Sequence, residues 1–347
     1  MLKVAPFEIG THQIAAGTRE TVDLPVSVLS DHTPVTMSVH VVHGRRPGPT
    51  LFVSAAVHGD EVIGVEIARR LMQARMLGNI RGTILIAPIV NTFGFLNHSR
   101  YLPDRRDLNR SFPGSARGSL ASRLAHLFMK EIVTRSDFGI DLHSAAIHRT
   151  NLPQIRVSPA DPDTLALAEA FGAPVILTAP LREGSMRQAA LDHGVSMLLY
   201  EAGEGLRFDE FAVRAGVRGI LRVMHALDMI PVKGVSKSKT DSAYSTSSSW
   251  VRAPAGGLIR MFRSTGEAVD EGDVLGIVSN PFGDVEHEVI APIAGLIIGR
   301  TNLPVVNEGD GVFHIAKVQK RNATADAVDD MAAQLSADPL FDEDEII

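Results

Sequence analysis

Apolar strand-like runs that alternate with amphipathic helical stretches are the feature that most restricts what this chain can fold into. Residues 51–57 form an almost unbroken apolar run, and residues 62–76 follow with apolar side chains at helical spacing. Further strand-like runs at 83–90, 138–142, 154–157 and 195–200 are interleaved with helical patterns at 119–134, 164–171, 186–192 and 208–227. A strand that is apolar on both faces must be covered on both faces. Helices packed on a largely parallel or mixed sheet do this, so an α/β class is predicted. Residues 35–43 partly alternate and read as one more strand, set off by a Gly/Pro-rich turn at 44–49. Asp60 is the expected N-cap of the first helix. The α/β unit is expected to occupy residues 1–235.

Beyond it the composition changes. Residues 236–250 are rich in Ser and Thr and read as a linker. Residues 251–318 contain an internal repeat. Ala253-Pro254-Ala255-Gly256-Gly257-Leu258-Ile259 matches Ala291-Pro292-Ile293-Ala294-Gly295-Leu296-Ile297, and Val269-Asp270-Glu271-Gly272-Asp273 matches Val306-Asn307-Glu308-Gly309-Asp310. Short strands joined by Gly turns are expected in each half, giving a small β barrel-sandwich with pseudo-two-fold symmetry. It resembles a lipoyl- or biotinyl-carrier module, but residues 251–316 contain no lysine, so covalent loading is excluded. Residues 319–347, with Asp342-Glu343-Asp344-Glu345 near the end, read as a flexible acidic tail.

The chain has no cysteine, so a transition-metal site must be built from His, Asp and Glu. His58-Gly59-Asp60-Glu61 follows an apolar run at the expected carboxyl end of a strand, where open α/β sheets place their sites. Asp141-Leu142-His143 ends another such run. His58, Glu61 and His143 would leave the fourth position of a tetrahedral ion to water, the pattern of a catalytic zinc. Read alone, each piece is equally a turn histidine or a capping carboxylate; together they point to a metal. Asp107-Leu108-Asn109-Arg110 offers an amide and a guanidinium fork suited to a carboxylate. Arg100, Arg105 and Arg106 make this region locally cationic in a chain of net charge -6. Tyr200-Glu201-Ala202-Gly203-Glu204 delivers a carboxylate at a strand end, with Glu201 the candidate general base and Glu204 its competitor. No basic domain with interleaved aromatics is present, so nucleic acid is not an expected partner. The longest apolar runs are too short to span a bilayer, and no secretory signal is legible, so a cytoplasmic location is expected.

These three blocks, in this order, resemble the succinylglutamate desuccinylase/aspartoacylase family of the zinc carboxypeptidase superfamily. The resemblance covers roughly residues 35–230, and the C-terminal β-segment fits it. It implies a zinc-carboxypeptidase-like mixed sheet flanked by helices. It also implies one Zn2+ per subunit on His58, Glu61 and His143, with a substrate carboxylate on Asn109 and Arg110. An arginine is the second contact: Arg100, or Arg105 or Arg106 in its place. Arg182 and Arg187 are further candidates that no motif places. Glu201 is implied as the general base, and the C-terminal segment as a cover over the site. The implied activity is removal of an acyl group from a small N-acyl amino acid. A peptide-trimming metallocarboxypeptidase and a non-catalytic binding protein are the rival expectations. Exposed β edges would suit a homo-oligomer.

Overall fold

Residues 4–159, 161–235, 241–319 and 321–338 are described by the computed structural model. The chain opens with strands that the sequence reading did not find. β1 (Phe7–Ile9) and β2 (His12–Ile14) form a hairpin of their own. β3 (Thr18–Val28) buries Val22, Leu24 and Val26 on one face and turns Asp23 and Pro25 outward, the period of a half-covered strand. It pairs antiparallel with β4 (Pro34–His43). β5 (Arg46–Ala55) starts inside the stretch expected to be a turn, and Leu51, Phe52 and Val53 on it are fully buried.

The helix that follows, α1 (Ile63–Gln73), has Val62 at its N-cap and no side-chain cap. Asp60 therefore does not cap it, and one oxygen of its carboxylate is buried without a partner. β6 (Arg81–Ala87) returns parallel to β5 and leads to the short helix α2 (Thr92–Leu96), capped by the Asn91 side chain. α3 (Leu120–Glu131), capped by Ser119, precedes β7 (Phe138–His143), which lies parallel to β5 on its other side. The chain thus leaves β5 for β6 on one side and later returns to β7 on the other. The end of β5 is a topological switch point, where α/β sheets open a crevice.

The rest of the α/β unit comprises β8 (Arg149–Val157), α4 (Asp163–Phe171), β9 (Val175–Thr178), α5 (Met186–Asp192), β10 (Ser196–Gly203) and α6 (Glu210–Ala226). β10 is parallel to β7 and antiparallel to β8. Two cores lie on opposite faces of the sheet. Ile63, Ile67, Phe171, Val217 and Ile220 pack on one face from α1, α4 and α6; Leu124, Phe128, Met186 and Ala190 pack on the other from α3 and α5. Gly216 and Gly219 explain how closely α6 approaches. A Cβ at Gly219 would stand 2.2 Å from the Phe171 ring, and one at Gly216 2.5 Å from Ile67. Tyr200 beneath them is fully buried, and its hydroxyl donates to the Ala212 carbonyl at 2.7 Å.

The C-terminal part differs from expectation in how it is attached. β11 (Ala243–Ser245) pairs with β9, and β12 (Ser248–Arg252) is itself a sheet strand, so the stretch expected to be a linker is structured from residue 243 on; residues 236–240 lie outside the described residues. β13 (Gly257–Met261), β14 (Ala268–Val269), β15 (Val274–Ser279), β16 (Glu286–Ile290), β17 (Gly295–Thr301), β18 (Val305–Val306) and β19 (Gly311–Ala316) follow. β13, β15, β16 and β18 form a four-stranded sheet. It shares a core with β12, β17 and β19 through Ile259, Leu275, Val278, Ile297 and Phe313. The two layers face each other as a sandwich. β12, β19 and β17 are at the same time the end of the large thirteen-stranded sheet, joined to it where β17 pairs with the first residues of β8. The remainder of β8 pairs with β9 instead, so the sheet forks there. Helix α7 (Arg321–Ser336) replaces the flexible tail expected over that stretch, while Asp342–Glu345 lie outside the described residues. Among the described residues no helix is long and apolar enough to cross a membrane.

Candidate active site

The carboxyl ends of β5, β7 and β10 meet at one cavity, because these three strands are parallel neighbours. His58 lies three residues beyond β5. Gly59 lets that turn press against α2, since a Cβ there would sit 1.9 Å from the Gly94 carbonyl carbon. His143 is the last residue of β7, and Glu61 stands just before α1. All three are buried, and one ligand atom of each lies within 4.8 Å of the others. His58 Nδ1 is 2.7 Å from Glu61 Oε1, and His143 Nδ1 is 2.7 Å from Glu61 Oε2.

The outer nitrogens decide what this cluster can hold. His58 Nε2 faces Asp107 Oδ1 at 3.0 Å, and His143 Nε2 faces Asp141 Oδ2 at 2.6 Å. Asp141 is held in turn by the Ser54 hydroxyl at 2.7 Å, and Asp107 by the Asn109 backbone N–H at 2.8 Å. When each ring donates its Nε2–H to a carboxylate, its Nδ1 carries only a lone pair. Two lone pairs then face a carboxylate, an arrangement that needs positive charge at its centre. Ring protons meet the need when no ion is bound. Burial alone would lower His58, but the Glu61 charge and the hydrogen bonds to Asp107 and Glu61 outweigh it and the net shift is upward. His143 is likewise pushed well up against its burial, by Asp141 and Glu61. A divalent cation meets the same need, and an imidazole whose second nitrogen is held by a carboxylate is the usual form of a metal-binding histidine. The donor set therefore fits a metal such as zinc.

The cavity beside this cluster has a volume of about 230 Å³, at the small end for a ligand site. Arg100, Asn109, Arg110 and Glu201 all line it, whereas Arg105 and Arg106 do not; Arg106 pairs outward with Asp104. Arg100 spans Glu61 Oε1 and Asp107 Oδ2, each at 3.1 Å. The Asn109 side-chain oxygen accepts from the Met186 N–H at 2.9 Å, which ties the Asn109–Arg110 loop to the start of α5. Glu201 faces the cavity, with its Oε2 accepting from Asn151 Nδ2 at 2.9 Å and its Oε1 3.6 Å from Arg156 Nη2. Glu204 points elsewhere, accepting from the His148 N–H and from Asn302.

Several lining residues carried no sequence signal. Arg149, Asn151 and Arg156 come from β8, where the only clue is a charged or amide side chain in an otherwise apolar strand. Trp250 comes from β12; Arg149 lies 5.2 Å above its ring, and His314 stacks on it with ring centroids 4.5 Å apart. Asp107 and Asp141 stood inside recognised blocks, but their partners are distant in sequence. Six arginines line the cavity (100, 110, 149, 156, 182 and 187) against the carboxylates of Glu61, Asp141 and Glu201. Arg187 Nη1 is buried without a partner, and its pKa is lowered to about 10, chiefly by burial and next by the charge of Arg156. Glu201 and Asp141 act on it as opposite charges, but Nη1 has no hydrogen-bond acceptor, and a ligand carboxylate would supply one.

The chain is 27% identical over 311 residues to the N-alpha-acetyl-L-2,4-diaminobutyric acid deacetylase of Halomonas elongata, covering 85% of this chain and 90% of that one. Among solved structures, a succinylglutamate desuccinylase/aspartoacylase from Rhodobacter sphaeroides superposes with a TM-score of 0.76 at 26% identity, covering 87% of this chain and 96% of the other. The product-bound ectoine utilization protein EutE (DoeB) of Ruegeria pomeroyi shares the fold, with a TM-score of 0.77 at 24% identity over 86% of this chain and 95% of that one. Residues 47–227, which carry the His58, Glu61, His143 and Glu201 positions, match the succinylglutamate desuccinylase/aspartoacylase catalytic domain, and the chain belongs to that family.

Proposed function

We propose that this protein is a zinc-dependent amidohydrolase that removes the acyl group from a small N-acyl amino acid. The observation that carries the reading is the convergence of His58 Nδ1, His143 Nδ1 and the Glu61 carboxylate on one point, with Asp107 and Asp141 holding the outer nitrogens. Zinc held there would polarise the amide carbonyl and lower the pKa of water toward about 7. Arg110 and Arg187 bind the substrate carboxylate, Asn109 fixes the loop that carries Arg110, and together they set the scissile bond against the metal centre. Arg100, beside Glu61, supplies positive charge where the carbonyl oxygen becomes anionic. Glu201 takes a proton from the attacking water and returns it to the departing nitrogen as the C–N bond breaks. The products are a carboxylic acid and a free amino acid. The similarity to a curated N-acetyl amino acid deacetylase supports the same reaction class. The small cavity, walled by Trp250 from the C-terminal segment, favours a single N-acyl amino acid over a peptide.

The test is zinc analysis of the purified protein coupled to amine release from a panel of N-acyl amino acids, run on wild type, His58→Ala and Glu201→Gln. The expected result is about one zinc per chain, hydrolysis of at least one panel member, metal loss in His58→Ala and loss of turnover with zinc retained in Glu201→Gln. Zinc-loaded protein that cleaves peptides but no N-acyl amino acid would move the assignment to a carboxypeptidase. Protein that binds no metal would overturn it.

A further inference from the structure

Glu201 is held from a direction that its own strand does not supply. β10 is irregular between Glu201 and Gly203: Glu201 stands opposite Gln154 on β8, and Gly203 opposite Asn151. Such bulges re-aim a side chain and are frequent beside active sites. Here the result is that Asn151 Nδ2 donates to Glu201 Oε2 at 2.9 Å, while Arg156 lies 3.6 Å from the other oxygen. On its far side Asn151 is opposite Gly299 of β17, in the C-terminal segment. A Cβ at Gly299 would fall 2.8 Å from Asn151 Oδ1 and 3.2 Å from the Thr150 carbonyl oxygen. The room for the Asn151 amide therefore exists because residue 299 has no side chain.

We propose that Asn151 is a positioning residue that fixes the Glu201 carboxylate toward the cavity, and that Gly299 supplies the space that lets it do so. The proposal rests on the reading of Glu201 as general base. With Asn151 in place, one carboxylate oxygen is anchored and both keep a lone pair for a proton. Without it, the carboxylate is free to close on the Arg156 guanidinium, and a carboxylate locked in a tight ion pair is a poorer base. The C-terminal segment thus reaches the chemistry through one amide, in addition to walling the cavity with Trp250.

Four variants test this: Asn151→Ala, the isosteric Asn151→Asp, Gly299→Ala, and the double variant Asn151→Ala/Gly299→Ala, with Glu201→Gln as reference. Each is assayed for kcat, KM, zinc content and thermal midpoint on the N-acyl amino acid that wild type cleaves best. Asn151→Ala and Asn151→Asp are expected to lower kcat by about 10- to 100-fold, as loss of an orienting partner does, with KM and zinc content unchanged. Gly299→Ala should lower kcat in the same direction, since its methyl displaces the end of a side chain. The double variant should be no slower than Asn151→Ala, because the two changes act through one group. A crystal structure of Asn151→Ala should show Glu201 turned onto Arg156, a readout independent of turnover. Wild-type kcat in Asn151→Ala, additive losses in the double variant, or a kcat loss that merely tracks lost zinc would each overturn the proposal. If Glu201→Gln retains turnover, the general-base reading fails first; if Glu201→Gln is inactive and Asn151→Ala is not impaired, only this inference fails.

Discussion

His314 gives a sharp test of how the C-terminal segment is held. It lies on β19, buried, stacked on Trp250 and with Nε2 2.8 Å from the Ser248 hydroxyl. Burial, and secondarily the charge of Arg156, lowers its pKa from 6.5 to about 4. A histidine depressed in the folded state binds its proton first in the unfolded chain. Between these two values the unfolded state therefore carries more protons, so stability rises with pH and is lost as pH falls. Relative to pH 7, this one group should cost about 2 kcal/mol at pH 5 and about 3 kcal/mol at pH 4. The perturbation is His314→Gln, which can keep a bond to Ser248 and cannot titrate. Chemical denaturation of wild type and variant at pH 7, 6, 5 and 4 gives two stability curves. Their difference isolates His314 from every other titrating group. The curves should diverge below pH 6.5, with wild type falling more steeply. Parallel curves from pH 7 to pH 4 would refute the reasoning, because they would mean His314 gains its proton as readily folded as unfolded.

The remaining predictions concern the cavity. Arg187→Met should raise KM for a carboxylate-bearing substrate by about 10- to 100-fold, the worth of a charge-assisted hydrogen bond of roughly 1.5–3 kcal/mol, with kcat little changed; steady-state kinetics check it. Asp141→Asn should weaken zinc binding by about 10- to 100-fold, with activity recovered at high zinc, as a competition titration against a chelator would show.

The α/β unit was legible because its strands are covered on both faces and its helices carry one apolar stripe, patterns that survive in a linear string. β3 escaped notice because Val22, Leu24 and Val26 are separated by Asp23 and Pro25, which reads as loop until β4 is seen beside it. The metal cluster was legible for a similar reason: His58, Glu61 and His143 follow apolar runs, and the end of a parallel strand is a place. Asn151 and Trp250 were not: Asn151 meets Glu201 50 positions away, and Trp250 lines the cavity from β12; Asp107 lay in a recognised block, but its partner His58 is 49 positions away. The expected linker failed where Ala243–Ser245 pairs with β9, because a Ser- and Thr-rich composition does not show that a sheet edge stands beside it and that Tyr244, a good strand former, lies within it.

The fork at β8 has a consequence for how the protein is made. The partner of residues 149–151 is a strand that lies some 150 positions later in the chain. During synthesis, the emerging catalytic half presents a bare strand edge until β17 leaves the ribosome. Contacts between such distant residues form slowly and leave the waiting edge open to other chains. The cavity wall at Trp250 and the space at Gly299 both come from that later segment, so residues 149–151 and the cavity they line are completed only when β12 and β17 dock.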